Sequence, residues 1–151
     1  MSIAPIIRTI QVNPAPARAF ELFAAHMGDW WPGATVGKKQ HVAVVIEPRK
    51  GGRWYERDAD GTETQWGCVL AWEPPGRLLL NWQLNGSFAY DPDLVTELEL
   101  TFALAEGGGT LVTLEHRNLE RFGANAASHA ERLRNGWPSK IDGFAKYANA
   151  A

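Results

Sequence analysis

A single cysteine, Cys68, stands in 151 residues, so no internal disulfide can staple the chain, and a reducing compartment suits it. Long apolar runs are missing too. No uninterrupted stretch approaches the roughly 18 residues that a membrane-spanning helix needs. Met1 to Val12 lack the charged-then-apolar order of a secretory signal, so a cytoplasmic protein is expected. Neither sign of charge dominates: 15 Lys and Arg stand against 17 Asp and Glu, for a net charge of −2. With a pI near 6.1, the chain has no basic footprint for nucleic acid. The usual marks of enzyme chemistry are also absent, with no glycine-rich phosphate loop, no HExxH and no nucleophile elbow. His26, His41, His116 and His129 are not at metal-ligand spacing with one another or with Cys68, so neither a metal nor another cofactor is expected.

What is present is globular in kind. Hydrophobic residues make up 45% and charged residues 21%, which argues against disorder. The length fits one domain over residues 1–151, and a chain this long buries roughly 68–70% of its unfolded surface without a staple. Seven tryptophans are the one unusual count. Each large aromatic buries roughly 150–250 Å2, so they describe either a bulky core or a cavity with flat apolar walls. Their positions have to decide.

Residues 6–12 are rich in β-branched side chains and read as a strand. Asn13 to Pro16 stop it, with Pro16 suited to the first turn of a helix. Phe20 and Phe23 then form a stripe at helical spacing. Gly28 is expected to end that helix, and Asp29-Trp30-Trp31-Pro32 to make a short helical corner. The middle of the chain is strands. Val42, Val44 and Ile46 give one apolar face, and Arg53 to Arg57 form the next strand, closed by the hairpin signal Asp58-Ala59-Asp60-Gly61. Alternation over Thr64 to Glu73 puts Trp66, Cys68, Leu70 and Trp72 on one face. On that face Cys68 reads as a small buried hydrophobe.

Leu78, Leu80, Trp82 and Leu84 repeat the pattern after Pro74-Pro75-Gly76. After a polar loop over residues 85–93, Leu98, Leu100, Phe102 and Leu104 face one way, and Val112, Leu114 and His116 share a face of the partner strand. Such alternation indicates antiparallel strands with one wet and one buried face. The period then changes. Leu133, Trp137, Ile141, Phe144 and Ala148 make one helical stripe, and Pro138 predicts that the helix begins or kinks near it. A sheet with one apolar face must bury it, and this stripe is the helical face large enough to do so. The fold class is α+β, a curved antiparallel sheet wrapped around one long C-terminal helix.

Several segments resemble one family. Pro16 to Phe23, Gly51 to Glu56, Trp66 to Pro75 with Arg77-Leu78, Thr110 to His116, and Gly136-Trp137-Pro138-Ser139 are similar, in this order, to the single-domain homologues of the activator of the heat-shock-protein-90 ATPase. The resemblance implies the START-like (SRPBCC) superfamily and its helix-grip fold, the architecture already derived. It also implies a hydrophobic-ligand carrier, a cyclase or dehydratase, or a stress-associated co-chaperone module with a chaperone as partner.

The residues favour a binding module for a small hydrophobic or aromatic molecule over an enzyme. Trp54, Trp66, Trp82, Phe102, Leu114, Trp137, Ile141 and Phe144 lie on inward faces and are candidate walls. Trp30 and Trp31 sit at the expected mouth. Glu56, sharing a face with Trp54, and His116 are candidate polar handles, and the only weak candidates for general acid–base work.

Overall fold

The computed structural model describes residues 2–31 and 41–151. Strand β1 (Ile6–Val12) is followed by helix α1 (Pro16–Ala25) and the short α2 (Met27–Trp30). Six strands come next: β2 (His41–Ile46), β3 (Arg53–Asp58), β4 (Glu63–Glu73), β5 (Arg77–Trp82), β6 (Thr96–Leu104) and β7 (Thr110–Arg117). A 3-10 turn (Leu119–Phe122) leads into the long helix α3 (Ala126–Ala150). All seven strands join one antiparallel sheet in the order β1-β7-β6-β5-β4-β3-β2. It curls into a half-barrel around α3, the helix-grip arrangement expected from the alternation. Among the described residues no helix is long and apolar enough to cross a membrane.

The concave face is built by cross-strand pairs, whose side chains point the same way. Leu98 opposes His116, Leu100 opposes Leu114, and Phe102 opposes Val112. Leu78 and Leu80 oppose Leu100 and Leu98 in turn. Against this face α3 lays Leu133, Trp137, Ile141, Phe144 and Ala148, all buried. Helix α1 adds Phe20 and Phe23, whose rings meet Phe102 at 5.2 and 6.0 Å.

Five expectations are corrected. Strand β4 carries two bulges, one extra residue each at Trp66 and Leu70. A bulge inverts the facing of every residue beyond it. Val69, opposite Leu80, therefore joins Trp66 on the inner side, while Cys68 turns to the other face and is only half-buried. Val42 is likewise carried outward, 65% exposed, by the irregularity between His41 and Ala43.

Gly28 does not end α1; it lies within α2. Its missing Cβ is what allows α2 to rest on β2, since a Cβ there would stand 2.9 Å from the Val44 backbone N. Helix α3 begins at Ala126, well before Pro138, which sits inside it. Burial of Leu133 and Trp137 before the proline, and of Ile141 and Phe144 after it, outweighs the missing N–H. Leu104, at the end of its strand, is 74% exposed because the concave face stops at Phe102. The corner residue Pro32 lies outside the described residues.

Candidate functional site

Five indoles form a closed circuit of mostly edge-to-face contacts inside the sheet. Trp31 meets Trp66 at 5.0 Å between ring centres, Trp66 meets Trp54 at 5.5 Å, and Trp54 meets Trp82 at 5.8 Å. Trp82 meets Trp137 at 5.5 Å, and Trp137 returns to Trp31 at 6.0 Å with the planes at 90°. Tilted and edge-on geometries suit the ring quadrupoles. The β4 bulge makes the circuit possible by pointing both Trp66 and its neighbour Gly67 inward. A Cβ on Gly67 would fall 1.8 Å from the Asn81 carbonyl oxygen and 3.4 Å from the Trp54 ring, so only glycine lets these strands approach.

Four of these rings, Trp31, Trp66, Trp82 and Trp137, wall a partly enclosed cavity of about 320 Å3. That is at the small end of the roughly 300–1,000 Å3 range of ligand sites. Leu84, Leu133 and Phe88 complete the apolar lining, while Arg132, Gly136 and Lys140 of α3 bring the polar part. Phe88 comes from the loop after β5. It is held at φ 56 and accompanied by two hydrogen bonds to the Asn85 carboxamide oxygen from the neighbouring Ser87 and Ala89 amides. The Arg132 guanidinium donates to the Gly86 carbonyl at 3.0 Å, strapping α3 to the same loop.

The remaining sequence candidates lie behind the walls. Trp54 backs Trp66 and Trp82. Phe102, Leu114, Ile141 and Phe144 are buried core away from the cavity. Trp30 turns into the core, stacking near Phe23 and Phe144 and donating to the Leu22 carbonyl at 3.2 Å. Glu56 is buried beneath Trp66 and accepts its indole N–H at 2.9 Å.

His116 is fully buried, and both ring nitrogens are engaged. The Trp137 indole N–H donates to Nδ1 at 3.2 Å, so the ring proton sits on Nε2 and is donated to Thr96 Oγ1 at 3.1 Å. The Thr96 hydroxyl in turn donates to the Trp82 carbonyl at 2.6 Å. Burial, followed by the nearby His129, pushes the His116 pKa down to about 3. His116 is thus a neutral prop that fixes two tryptophan walls, not a handle inside the cavity.

Sequence reasoning missed the α3 row at 132, 136 and 140. Its signal is a second helical row, spaced by four and running beside Leu133, Trp137 and Ile141, in which a glycine lies between two cations. The Lys140 ammonium lies 5.5 Å over the Trp31 ring. It is half-buried, and burial lowers its pKa. A Cβ on Gly136 would stand 3.4 Å from Lys140 Nζ, so the side chain folds back one turn over the bare glycine towards the cavity. Among the described residues no group of acidic, histidine or cysteine side chains could hold a metal ion.

A model of the family described as "Activator of Hsp90 ATPase homolog 1-like protein" matches residues 15–149. The search of curated proteins finds no match. Among solved structures, the anthrahydroquino-gamma-pyrone synthase Txn09 is 35% identical, with 99% of this chain and 98% of that one covered and a TM-score of 0.67. CalC, a self-sacrificing resistance protein from Micromonospora echinospora, is 32% identical over 97% of this chain and 94% of its own, with a TM-score of 0.70. An AHSA1-like protein from Aeromonas hydrophila, 18% identical over 97% and 93% with a TM-score of 0.65, shares the fold.

Proposed function

The chain belongs to the Activator of Hsp90 ATPase homolog 1-like family, and from that premise we propose that it binds a small, flat aromatic molecule in the cavity between sheet and C-terminal helix. The observation that carries this reading is the four-indole wall around about 320 Å3 of space. Three of those indoles have their polar edge tied to the protein: Trp66 to Glu56, Trp82 to the Leu84 carbonyl and Trp137 to His116. What they offer the cavity is apolar ring surface held at fixed angles, which suits a planar guest. A rigid wall also avoids the ordering cost that a floppy pocket incurs on binding.

Native mass spectrometry of protein purified gently from a lipid- and metabolite-rich host tests this, together with thermal shifts across a panel of two- and three-ring aromatics. A bound mass lost on denaturation, or a saturable rise in melting temperature, is the expected result. An apo mass with no shift across the panel means that the space serves packing alone, and the reading fails.

A second reading, an enzyme acting on an aromatic polyketide, is favoured by the 35% identity to a protein named as a synthase. His116 and Glu56 support it poorly, because both lie behind the indole wall. Turnover of an anthraquinone-type substrate that survives replacement of Lys140 by methionine would separate catalysis from the groups at the cavity mouth.

A further inference from the structure

The charged side chains that line the cavity are of one sign among the described residues. Arg132 and Lys140 bring cationic side chains, and among the described residues no carboxylate lines the space. Arg132 is already committed to the Gly86 carbonyl and approaches His129 Nδ1 at 3.1 Å. Lys140 has no ion-pair partner among the described residues and only the Trp31 ring beneath it. A cation over an indole face gains something, but a half-buried ammonium remains under-compensated without an anion. Burial accordingly lowers its pKa.

Trp31 adds an independent sign. Its indole N–H is buried without an acceptor among the described residues, whereas every other indole of the circuit has one, down to Trp54 on the Met27 sulfur at 3.3 Å. Buried orphan donors are rare in native structures, so the Trp31 ring beneath Lys140 is itself left electrostatically unsatisfied. An unanswered donor and an unanswered cation therefore sit together, on residues in contact with each other, beside an aromatic cavity.

We infer that the guest is an aromatic oxyanion (a carboxylate, phenolate or sulfonate on a fused-ring body), with Lys140 as its counter-charge. This rests on the aromatic-ligand reading and specifies its chemistry. The ring system lies between Trp66, Trp82 and Trp137, and the charged oxygen points to the α3 side of the mouth. Gly136 is what lets Lys140 reach it. A Cβ there would stand 3.4 Å from the ammonium, in contact with it.

Two dyes that share a skeleton test it: 1-anilinonaphthalene-8-sulfonate, which is anionic, and N-phenyl-1-naphthylamine, which is neutral. Each is titrated by fluorescence into the wild type and into Lys140→Met, Lys140→Gln and Lys146→Met, the last an exposed lysine of the same helix. Melting temperatures confirm that each variant is folded. The expected result is that both Lys140 variants bind the anionic dye at least tenfold more weakly and the neutral dye within twofold of wild type, while Lys146→Met changes neither. If the Lys140 variants shift both dyes alike, or neither, the oxyanion subsite is overturned and the aromatic cavity stands. If neither dye binds the wild type, both readings fall.

Discussion

Replacing His116 by asparagine changes the acid sensitivity of the fold in a way that can be calculated. The folded pKa is about 3 against an ordinary 6.5, and the residue is fully buried. Between those values the unfolded chain binds a proton that the folded chain refuses, so stability falls as pH falls. Above pH 6.5 both states are neutral and the group contributes no slope. Each pH unit inside the window costs about 1.4 kcal/mol, so lowering the pH from 7 to 5 removes about 2 kcal/mol through this one side chain. Arginine-paired carboxylates such as Glu63 and Glu99, held below their ordinary range, weaken the fold in the same direction. The difference between proteins isolates the histidine. Asparagine keeps an acceptor for the Trp137 N–H but cannot titrate. Urea unfolding followed by tryptophan fluorescence should show the variant less stable at pH 7, by roughly 2–4 kcal/mol for a disrupted buried network. The gap should close by about 2 kcal/mol at pH 5. A gap that stays constant between the two pH values would refute the neutral buried imidazole, and with it the proton placement on Nε2.

Thr96→Val preserves shape but removes the hydroxyl between His116 and the Trp82 carbonyl; with two buried groups orphaned at about 1–3 kcal/mol each, the urea midpoint should drop clearly at neutral pH. Gly67→Ala must drive a Cβ into the Asn81 backbone. A loss at or above the top of the about 1–3 kcal/mol typical of overpacking is expected by thermal unfolding, and an unchanged melting temperature would show that the β4 bulge is not as tight as described. Trp82→Ala empties the meeting point of Trp54, Trp137 and His116 and should cost about 3–5 kcal/mol. A much smaller loss in chemical denaturation would mean that Trp82 is held more loosely than a core residue.

The legible parts of this chain are those where one period runs uninterrupted. In β6 and β7 strict alternation places Leu98, Leu100 and Phe102 against Val112, Leu114 and His116, and the pairing follows. In β4 the same rule misleads, because two inserted residues reverse the facing and leave little trace in the sequence beyond Gly67. A bulge is stabilised by contacts across strands, which a single stretch of residues does not display. Pro138 misled in the opposite sense. A local breaker signal is overruled by the burial of Leu133 and Trp137, a tertiary effect.

The site divides the same way. Trp66, Trp82 and Trp137 were candidates because they stand on inward faces, and Trp31 because it follows the first helix at the expected corner; all four border the cavity. Lys140 and Arg132 could not, because a search for the apolar stripe treats the row beside it as solvated surface. His116 was visible as an inward polar residue, but not its role, since that depends on which neighbours occupy its two nitrogens.

On the proposed reading, the arrangement of polar groups around the cavity would give a guest a direction. Indole N–H groups that faced the lumen would reward acceptors anywhere along its depth. Here Trp66, Trp82 and Trp137 spend theirs on Glu56, the Leu84 carbonyl and His116. The deep walls therefore present ring surface alone. Ring faces carry the negative part of the aromatic quadrupole, so an anion is repelled there and must also leave its water behind. Negative charge would be tolerated beside Lys140, which stands over Trp31 with no ion-pair partner among the described residues. On that reading a flat guest with a charged end would have one favourable orientation, rings inward and oxyanion towards α3. An aromatic cation of the same size would have none, since Arg132 and Lys140 would repel it and among the described residues no carboxylate lines the cavity.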